Sequence, residues 1–543
     1  MAQLFKSPLS KPLLLVFLSL FFFMGLGHVH LFDWDEINFA ESAREMILTG
    51  DYMKVQIDFK PFWEKPPMFF WLQVISMKIF GINEFAARFP NALMGLFYLL
   101  TLYHIGKRHR DETFGFLWAL LFMGSLLPHL YFKSGIIDPV FNYFIFLSVY
   151  YLWQAVEKDN QNKAFTLLAG LFSGLSFLTK GPVGLLIVLL VVGSYILLKK
   201  LKYFPKPSQI FGFTMGFVGI VSMWLAVELW QNGVDNMLKF IEYQIELFTQ
   251  PVATHGQPFY YHFVVVFLGC FPISILGLPL LISREKTEDN LRLWMQLLFW
   301  VVMLLFSVTT TKIVHYSSMT YLPLSFLAAE FVSDYLKRGK KWPHYIIVLL
   351  GFLWVIWGLI LWAIPYIINN KTLLLPYIID PFGRQAYIDG PTISMSAYSA
   401  VILWILGGWV FYYFYTKKLI FTGILSFSIA LSASLLSVLW FTLPKIEAMT
   451  QGVHIEFLKS KQSEDVYLSS YGFKSYATYF YGKVRPERNE QASDIRWLIE
   501  GNIDKPAFLV TNKPDTELSQ NPSFQLIHSK GGFYIYTRSA IVK

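Results

Sequence analysis

Apolar stretches of about twenty residues recur along most of this 543-residue chain, and each is long enough to cross a bilayer as one helix. About thirteen such spans are expected on this criterion, at 12–32, 88–106, 112–131, 136–156, 164–180, 182–199, 208–230, 259–282, 291–309, 315–334, 343–367, 394–415 and 419–442. A chain so built cannot be a soluble globule. Charged residues make up only 15% of it, against roughly 25% in a soluble protein. Its 52 Phe and 17 Trp suit lipid and its interfaces. The net charge of +9 is spread over a lipophilic chain, which argues against a nucleic-acid binder. The lone cysteine, Cys270, excludes an intramolecular disulfide. The sequence is that of a polytopic α-helical membrane protein.

Basic residues in short loops set the orientation. Lys107/Arg108/Arg110, Lys199/Lys200/Lys202, Lys337/Arg338/Lys340/Lys341 and Lys417/Lys418 all fall in alternate loops, on the side of the N-terminus. That side is expected to be cytoplasmic, with Lys6 and Lys11 preceding a retained anchor rather than a cleaved signal. An odd number of spans puts the tail on the other face. The expected division is a membrane module over 1–443, with an outer helical loop at 33–87, and a small α/β domain over 444–543. In that tail Val466-Tyr-Leu-Ser, Ala507–Thr511, Phe524-Gln-Leu-Ile and Phe533–Thr537 read as short strands between turn residues.

The first outer loop gathers charge in a chain that otherwise avoids it. Asp33 or Asp35 can cap a helix with Ile37, Ala40, Ala43 and Ile47 on one face and Gly50 as its stop. Too short to span, it is expected to lie along the bilayer surface. A second helix is expected from Met68 to Phe80, ended by Gly81, with the turn Phe62-Trp-Glu-Lys-Pro-Pro between the two. Asp35 and Glu36 at the helix start are candidate active-site acids, although carboxylates there also serve the helix dipole.

Ionisable groups beside apolar spans are the other candidates. Asp138, in Lys133-Ser-Gly-Ile-Ile-Asp-Pro, is either functional or a helix cap. Lys180, in Leu-Thr-Lys-Gly-Pro, is either functional or a snorkelling lysine. Lys312, His315 and Tyr316 can share a helical face, or anchor the interface as aromatic and basic residues do. His255 and His262 flank aromatic residues, where an interfacial belt is the simpler reading. Lysines and a tyrosine in an outer-face cavity can hold a lipid-borne phosphate, while facing carboxylates can deprotonate a hydroxyl or coordinate a divalent cation. Such a site suits group transfer from a lipid phosphate. No Walker A, dinucleotide, zinc-protease or nucleophile-elbow motif is present in the sequence.

Taken in order, Asp35-Glu-Ile-Asn-Phe-Ala-Glu-Ser-Ala-Arg-Glu-Met, Phe62-Trp-Glu-Lys-Pro-Pro-Met, Gly81-Ile-Asn-Glu-Phe-Ala-Ala-Arg-Phe-Pro, Leu178-Thr-Lys-Gly-Pro and Thr311-Lys-Ile-Val-His-Tyr resemble the lipid-phosphate-sugar-dependent membrane glycosyltransferases of the GT-C fold. The nearest look is that of the bacterial aminoarabinose transferases of lipid A and the protein mannosyltransferase-like group. The resemblance implies inverting transfer from a polyprenyl-phosphate sugar to a lipid, glycan or protein acceptor, at the outer face of a bacterial inner membrane. It makes Asp35 the base or acceptor-orienting acid and Asp138 its partner. It sets Glu64 and Lys65 at the donor phosphate, with Tyr316 hydrogen-bonding it, and admits a divalent cation near Glu64. Lys312, His315 and Lys133 join the expected phosphate group, and Lys180 and His255 the substrate cavity.

Two departures stand out. Relatives often carry an arginine after the seventh span, where this chain reads Glu242-Tyr-Gln-Ile-Glu-Leu-Phe, and another before the Asp138-type acid, where it offers Lys133. Lysine keeps the charge but loses bidentate geometry. A flippase or transporter of lipid-linked sugars is the alternative; it would need charged residues near the bilayer midplane, and the acids here stand at span ends.

Overall fold

The computed structural model describes residues 10–157, 163–249, 256–283, 290–309, 311–339, 341–514 and 516–540. Each expected span falls on a helix or on a pair of helices separated by a break. Among the described residues six helices have the length and apolarity to cross a bilayer unaided: Glu84–His109, Pro207–Asp235, Leu291–Val308, His344–Asn369, Met395–Thr416 and Ile420–Ser460. In Glu84–His109 61% of the apolar window is buried, against 11% in His344–Asn369, so the first lies inside the bundle and the second at its rim.

Two spans are interrupted, and the backbone at their breaks is partnered within the protein. One breaks at Gly124-Ser125, between helices Glu112–Met123 and Leu126–Tyr131; the other breaks between Tyr261–Gly269 and Ile273–Leu281. Backbone groups at membrane depth must find partners within the protein. Here the Leu126 N–H donates to Phe271 O at 3.1 Å, and the Ser274 hydroxyl donates to Phe267 O at 2.7 Å.

The alternate basic loops meet at one end of the bundle. Arg110 pairs with Asp334 and Glu330, Arg292 with Glu330, Lys337 with Asp111, and Lys199 donates to Asn290. The outer-loop acids gather at the other end.

Helix Asp35–Thr49 ends as expected on Gly50, whose φ of +74° lets its N–H reach Met46 O. It does not lie along a surface. Every residue from Glu36 to Met46 is buried, with Met68–Phe80 on one side and the tail helix Ala477–Phe480 on another. Burial is tolerable because its charges pair internally: Arg44 donates to both oxygens of Glu41 at 2.7 and 2.6 Å. Asp33 is no cap either. Its carboxylate accepts from the Ser475 hydroxyl and from the Tyr476 N–H at 3.2 Å.

The tail carries a four-stranded sheet in the order Tyr467–Tyr471, Ala507–Thr511, Phe533–Arg538, Gln525–Lys530, the first pair parallel and the others antiparallel. Leu498, Ile503, Leu509 and Leu518 form its buried core. The expected boundary at 444 lies inside a helix: the last apolar helix continues from Ile420 to Ser460 without a break. Pro444 does not stop it, because it stands in the first turn after a wide π turn at Val438–Thr442, where a missing N–H costs little.

Candidate active site

The loop that delivers Asp35 is fastened from below by one buried ion pair. Glu36 accepts from Arg88 Nε at 2.9 Å and Nη2 at 2.7 Å, and from the backbone N–H groups of Phe32 and Gly135 at 2.9 and 2.6 Å. Arg88 also donates to the carbonyls of Leu26, Val29 and His30. Burial pushes the Glu36 carboxyl up, but the charge and hydrogen bonds of Arg88 outweigh it and hold the group below the usual carboxylate range. Glu36 is therefore corrected from a candidate catalytic acid to a clamp: all its lone-pair directions are taken and no face is open to substrate.

The tail fastens the same loop from above. The Leu31 N–H donates to the Tyr481 hydroxyl at 2.7 Å, the Asp33 N–H to Gln451 Oε1 at 3.2 Å, and Gln451 Nε2 to Leu31 O at 2.8 Å. His30 Nδ1 stands 3.0 Å from Glu447.

Between these fastenings five sequence-distant segments converge. Asp35, in the first turn of its helix and 38% exposed at its side chain, has its Oδ2 3.6 Å from His315 Nε2. Asp138 opens its own helix and accepts from Lys180 Nζ at 2.7 Å, with both side chains largely buried. Lys180 lies 5.1 Å from the Tyr316 ring centre. Lys65 Nζ donates to Glu64 at 2.8 Å. Asp138, Lys180, Asp35 and Lys65 all stand close enough to act electrostatically on His315. Lys180 is thus paired with a buried carboxylate rather than snorkelling. Gly181, at φ +82° and ψ −156°, makes the turn that aims it, a conformation reserved for glycine.

Within this cluster burial favours the neutral forms, yet Glu64 is held low by Lys65, with Lys474 and Lys180 adding to the effect. Lys65 is held high by Glu64, with Tyr316 and Asp35 contributing. Both are charged at neutral pH.

Two expected residues fall elsewhere, and a third is not described. Lys133 donates to Phe21 O at 2.5 Å and Met24 O at 2.8 Å, capping the first apolar helix, Ser10–Phe23, at its C-terminal end. It is corrected from phosphate ligand to helix cap, because those two carbonyls have no further turn to pair with. Lys312 precedes the 3-10 turn Val314–Thr320, so it shares no helical face with His315; its Nζ turns back to Thr309 O at 2.6 Å. His255 lies outside the described residues. Conversely, the tail supplies Lys474 and Tyr476, and the helical stretch beyond the Gly233 kink of Pro207–Thr249 supplies Tyr243, all close to Glu64. Nothing local in the sequence marks these three, since each reaches the site from a distant element.

The surroundings of Glu64 do not suit a metal ion. Among the described residues no three His, Cys, Asp or Glu side chains are grouped to bind one, and Glu64 itself faces three lysines. The arrangement favours an anion. An apolar cavity of about 490 Å³, lined by Trp342, Trp354, Trp409, Phe411 and Tyr415, contains none of these charged groups.

The fold matches the crystal structure of ArnT from Cupriavidus metallidurans bound to undecaprenyl phosphate, with a TM-score of 0.76 over 98% of this chain and 99% of that one, at 16% identity. The sequence pattern of the dolichyl-phosphate-mannose-protein mannosyltransferase family matches residues 64–225, which hold Glu64, Lys65, Asp138 and Lys180. The chain is a polytopic membrane glycosyltransferase of the GT-C fold, the class that draws sugars from lipid phosphates. Among its relatives are the undecaprenyl phosphate-alpha-4-amino-4-deoxy-L-arabinose arabinosyl transferases of Aeromonas salmonicida, 29% identical over 61% of this chain and 62% of that protein, and of Wigglesworthia glossinidia brevipalpis, 26% identical over 60% and 59%. The match thus spans about three fifths of those two relatives. An uncharacterised protein of Aquifex aeolicus is 29% identical over 63% of this chain and 79% of its own length.

Proposed function

We propose that this chain transfers a sugar, with inversion, from polyprenyl phosphate to a lipid A-like acceptor at the outer face of a bacterial inner membrane. The N-terminus is cytoplasmic, thirteen spans follow, and the tail from about 444 stands outside. The observation that carries the reading is the meeting of Asp35, Asp138, Lys65, Lys180 and Tyr316 at one end of the bundle.

The chemistry follows from the geometry. An acceptor hydroxyl gives its proton to the Asp35 carboxylate, the more accessible of the two acids. Its oxygen bonds to the anomeric carbon as the bond from that carbon to the phosphate oxygen breaks. The electron pair leaves on the phosphate, whose charge Lys65 and the Tyr316 hydroxyl stabilise. Asp138, neutralised by Lys180, orients the sugar or acceptor. Beside Lys65 and Lys180 the apolar cluster of Leu178, Trp224 and Phe240, with Trp63 and Trp71, offers a surface for the polyprenyl tail. The charged groups stand at helix ends rather than midway through spans, and the named relatives are transferases, so transport is the weaker reading.

The test is transfer by the purified protein from a polyprenyl-phosphate sugar, with lipid mass spectrometry of the product. Asp35→Asn is expected to slow turnover by about 10²- to 10⁴-fold. Wild-type rates in both Asp35→Asn and Lys65→Ala would defeat the site assignment, and substrate movement across vesicles without a glycosidic product would favour transport.

A further inference from the structure

The tail does more than cover the site. Strand Tyr467–Tyr471 ends at Gly472, where φ is +79°, and the chain turns there toward the membrane module. Phe473 is held in the tail by the rings of His454 and Phe533, at 5.6 and 6.0 Å. Two residues on, Ser475 and the Tyr476 N–H grip Asp33. Lys474, between these anchors, is fixed on both sides although its own side chain is exposed. Its Nζ lies 5.2 Å from the Trp34 ring centre and 5.0 Å from that of Tyr476.

Charge bookkeeping gives this lysine a task. Lys65 and Lys180 are each committed to one carboxylate, Glu64 and Asp138. A phosphate entering beside these two pairs gains from a further cation. Lys474, near Glu64 and Asp33, adds a third cation, and among the described residues no carboxylate lies within ion-pair distance of it. Resting on the function proposed above, we propose that Lys474 is a donor-binding residue: its ammonium contacts the lipid phosphate opposite Lys65, so that the tail completes the anion site.

The experiment measures binding of undecaprenyl phosphate to the full-length protein in nanodiscs, at low and high salt, together with KM and kcat for transfer. Lys474→Ala is expected to weaken binding about tenfold at low salt, the effect of losing one charge-assisted contact at a partly solvated site. The loss should shrink at high salt and appear in KM. Lys474→Arg should bind within about twofold of wild type. Lys505→Ala, on the same domain but paired with Asp465, should match wild type. Unchanged binding in Lys474→Ala, with binding impaired in Lys65→Ala, overturns the proposal and leaves the functional reading standing. Slowed transfer by Lys474→Ala with unchanged binding would move the lysine to the acceptor and overturn the donor assignment. If wild type binds no undecaprenyl phosphate, the functional reading falls and this proposal with it.

Discussion

Replacing Glu36 by glutamine separates two roles that the sequence leaves indistinguishable. Asp35 and Glu36 are neighbours at a helix start, and either could be a catalytic acid by position. In the structure Oε1 of Glu36 accepts from Arg88 Nε and Gly135, and Oε2 from Arg88 Nη2 and Phe32. A glutamine amide put in place of either oxygen turns two donors onto a third and leaves Arg88 buried without a counter-charge. Breaking a buried pair in this way costs about 3–5 kcal/mol. Removing both partners, as in Glu36→Met with Arg88→Met, should recover none of this. The carbonyls of Leu26, Val29 and His30 would each lose a donor, at about 1–3 kcal/mol apiece if left unsatisfied. The assay is thermal unfolding of the purified protein in detergent, paired with turnover per folded molecule below the transition. Glu36→Gln should melt several degrees lower, with turnover per folded molecule within a few-fold of wild type. Unaltered melting with turnover lost would refute the clamp and restore Glu36 to catalysis.

Three other variants test the remaining structural claims. Gly181→Ala should misplace Lys180, because alanine at φ +82° costs about 1–3 kcal/mol and its methyl would meet Gln244 Oε1 at 2.8 Å; transfer should fall more than stability. Lys133→Met should destabilise the first helix by about 1–3 kcal/mol and leave donor affinity unchanged, the reverse of what a phosphate ligand would give. Glu45 is pushed up to about 9 by burial and by Glu41 beside it, so the folded state keeps a proton that the unfolded chain gives up near its ordinary 4.5. Stability should therefore fall as pH rises through that window. Glu45→Gln should flatten the pH dependence of melting.

What could be read from the sequence is what short-range rules govern. The helix from Asp35 to Gly50, the helix from Met68 to Phe80 and the four tail strands follow from periodicity and turn residues alone. Lys133 and Lys180 show where such rules stop. Both are lysines at the outer end of an apolar span near a glycine, and sequence gives them equal claims. One meets the frayed carbonyls of a neighbouring helix and the other a buried carboxylate, and only packing decides which. Arg88 left a usable signal that position alone did not interpret. An arginine among Phe, Ala and Pro at the head of a span must have a buried acid, and Glu36 was the one at hand. The surface placement expected for the Asp35 helix failed for a related reason. Its amphipathic face was legible, but the tail that covers its other side begins more than four hundred residues later.

That late arrival makes the tail a fastening of the Asp33–Asp35 loop, and truncation tests what the fastening does. A chain ending at 460 keeps Gln451 and Glu447, which stand on the continuous helix, and keeps the Glu36–Arg88 clamp. It loses the Tyr481 hydroxyl from Leu31 and the Ser475 and Tyr476 groups from Asp33, two residues before Asp35. The loop should therefore stay attached but lose the fixed position of its acid, and a displacement of about 1 Å can cost roughly a hundredfold in rate. Loss of activity on truncation alone would equally fit an assembly factor whose tail binds a partner. The two readings part at Asp35→Asn in the full-length chain. A catalytic Asp35, steadied by the tail, requires that this variant abolish transfer while melting like wild type. An assembly factor requires that it retain function. Full activity in Asp35→Asn together with an inactive truncation would reject the catalytic account.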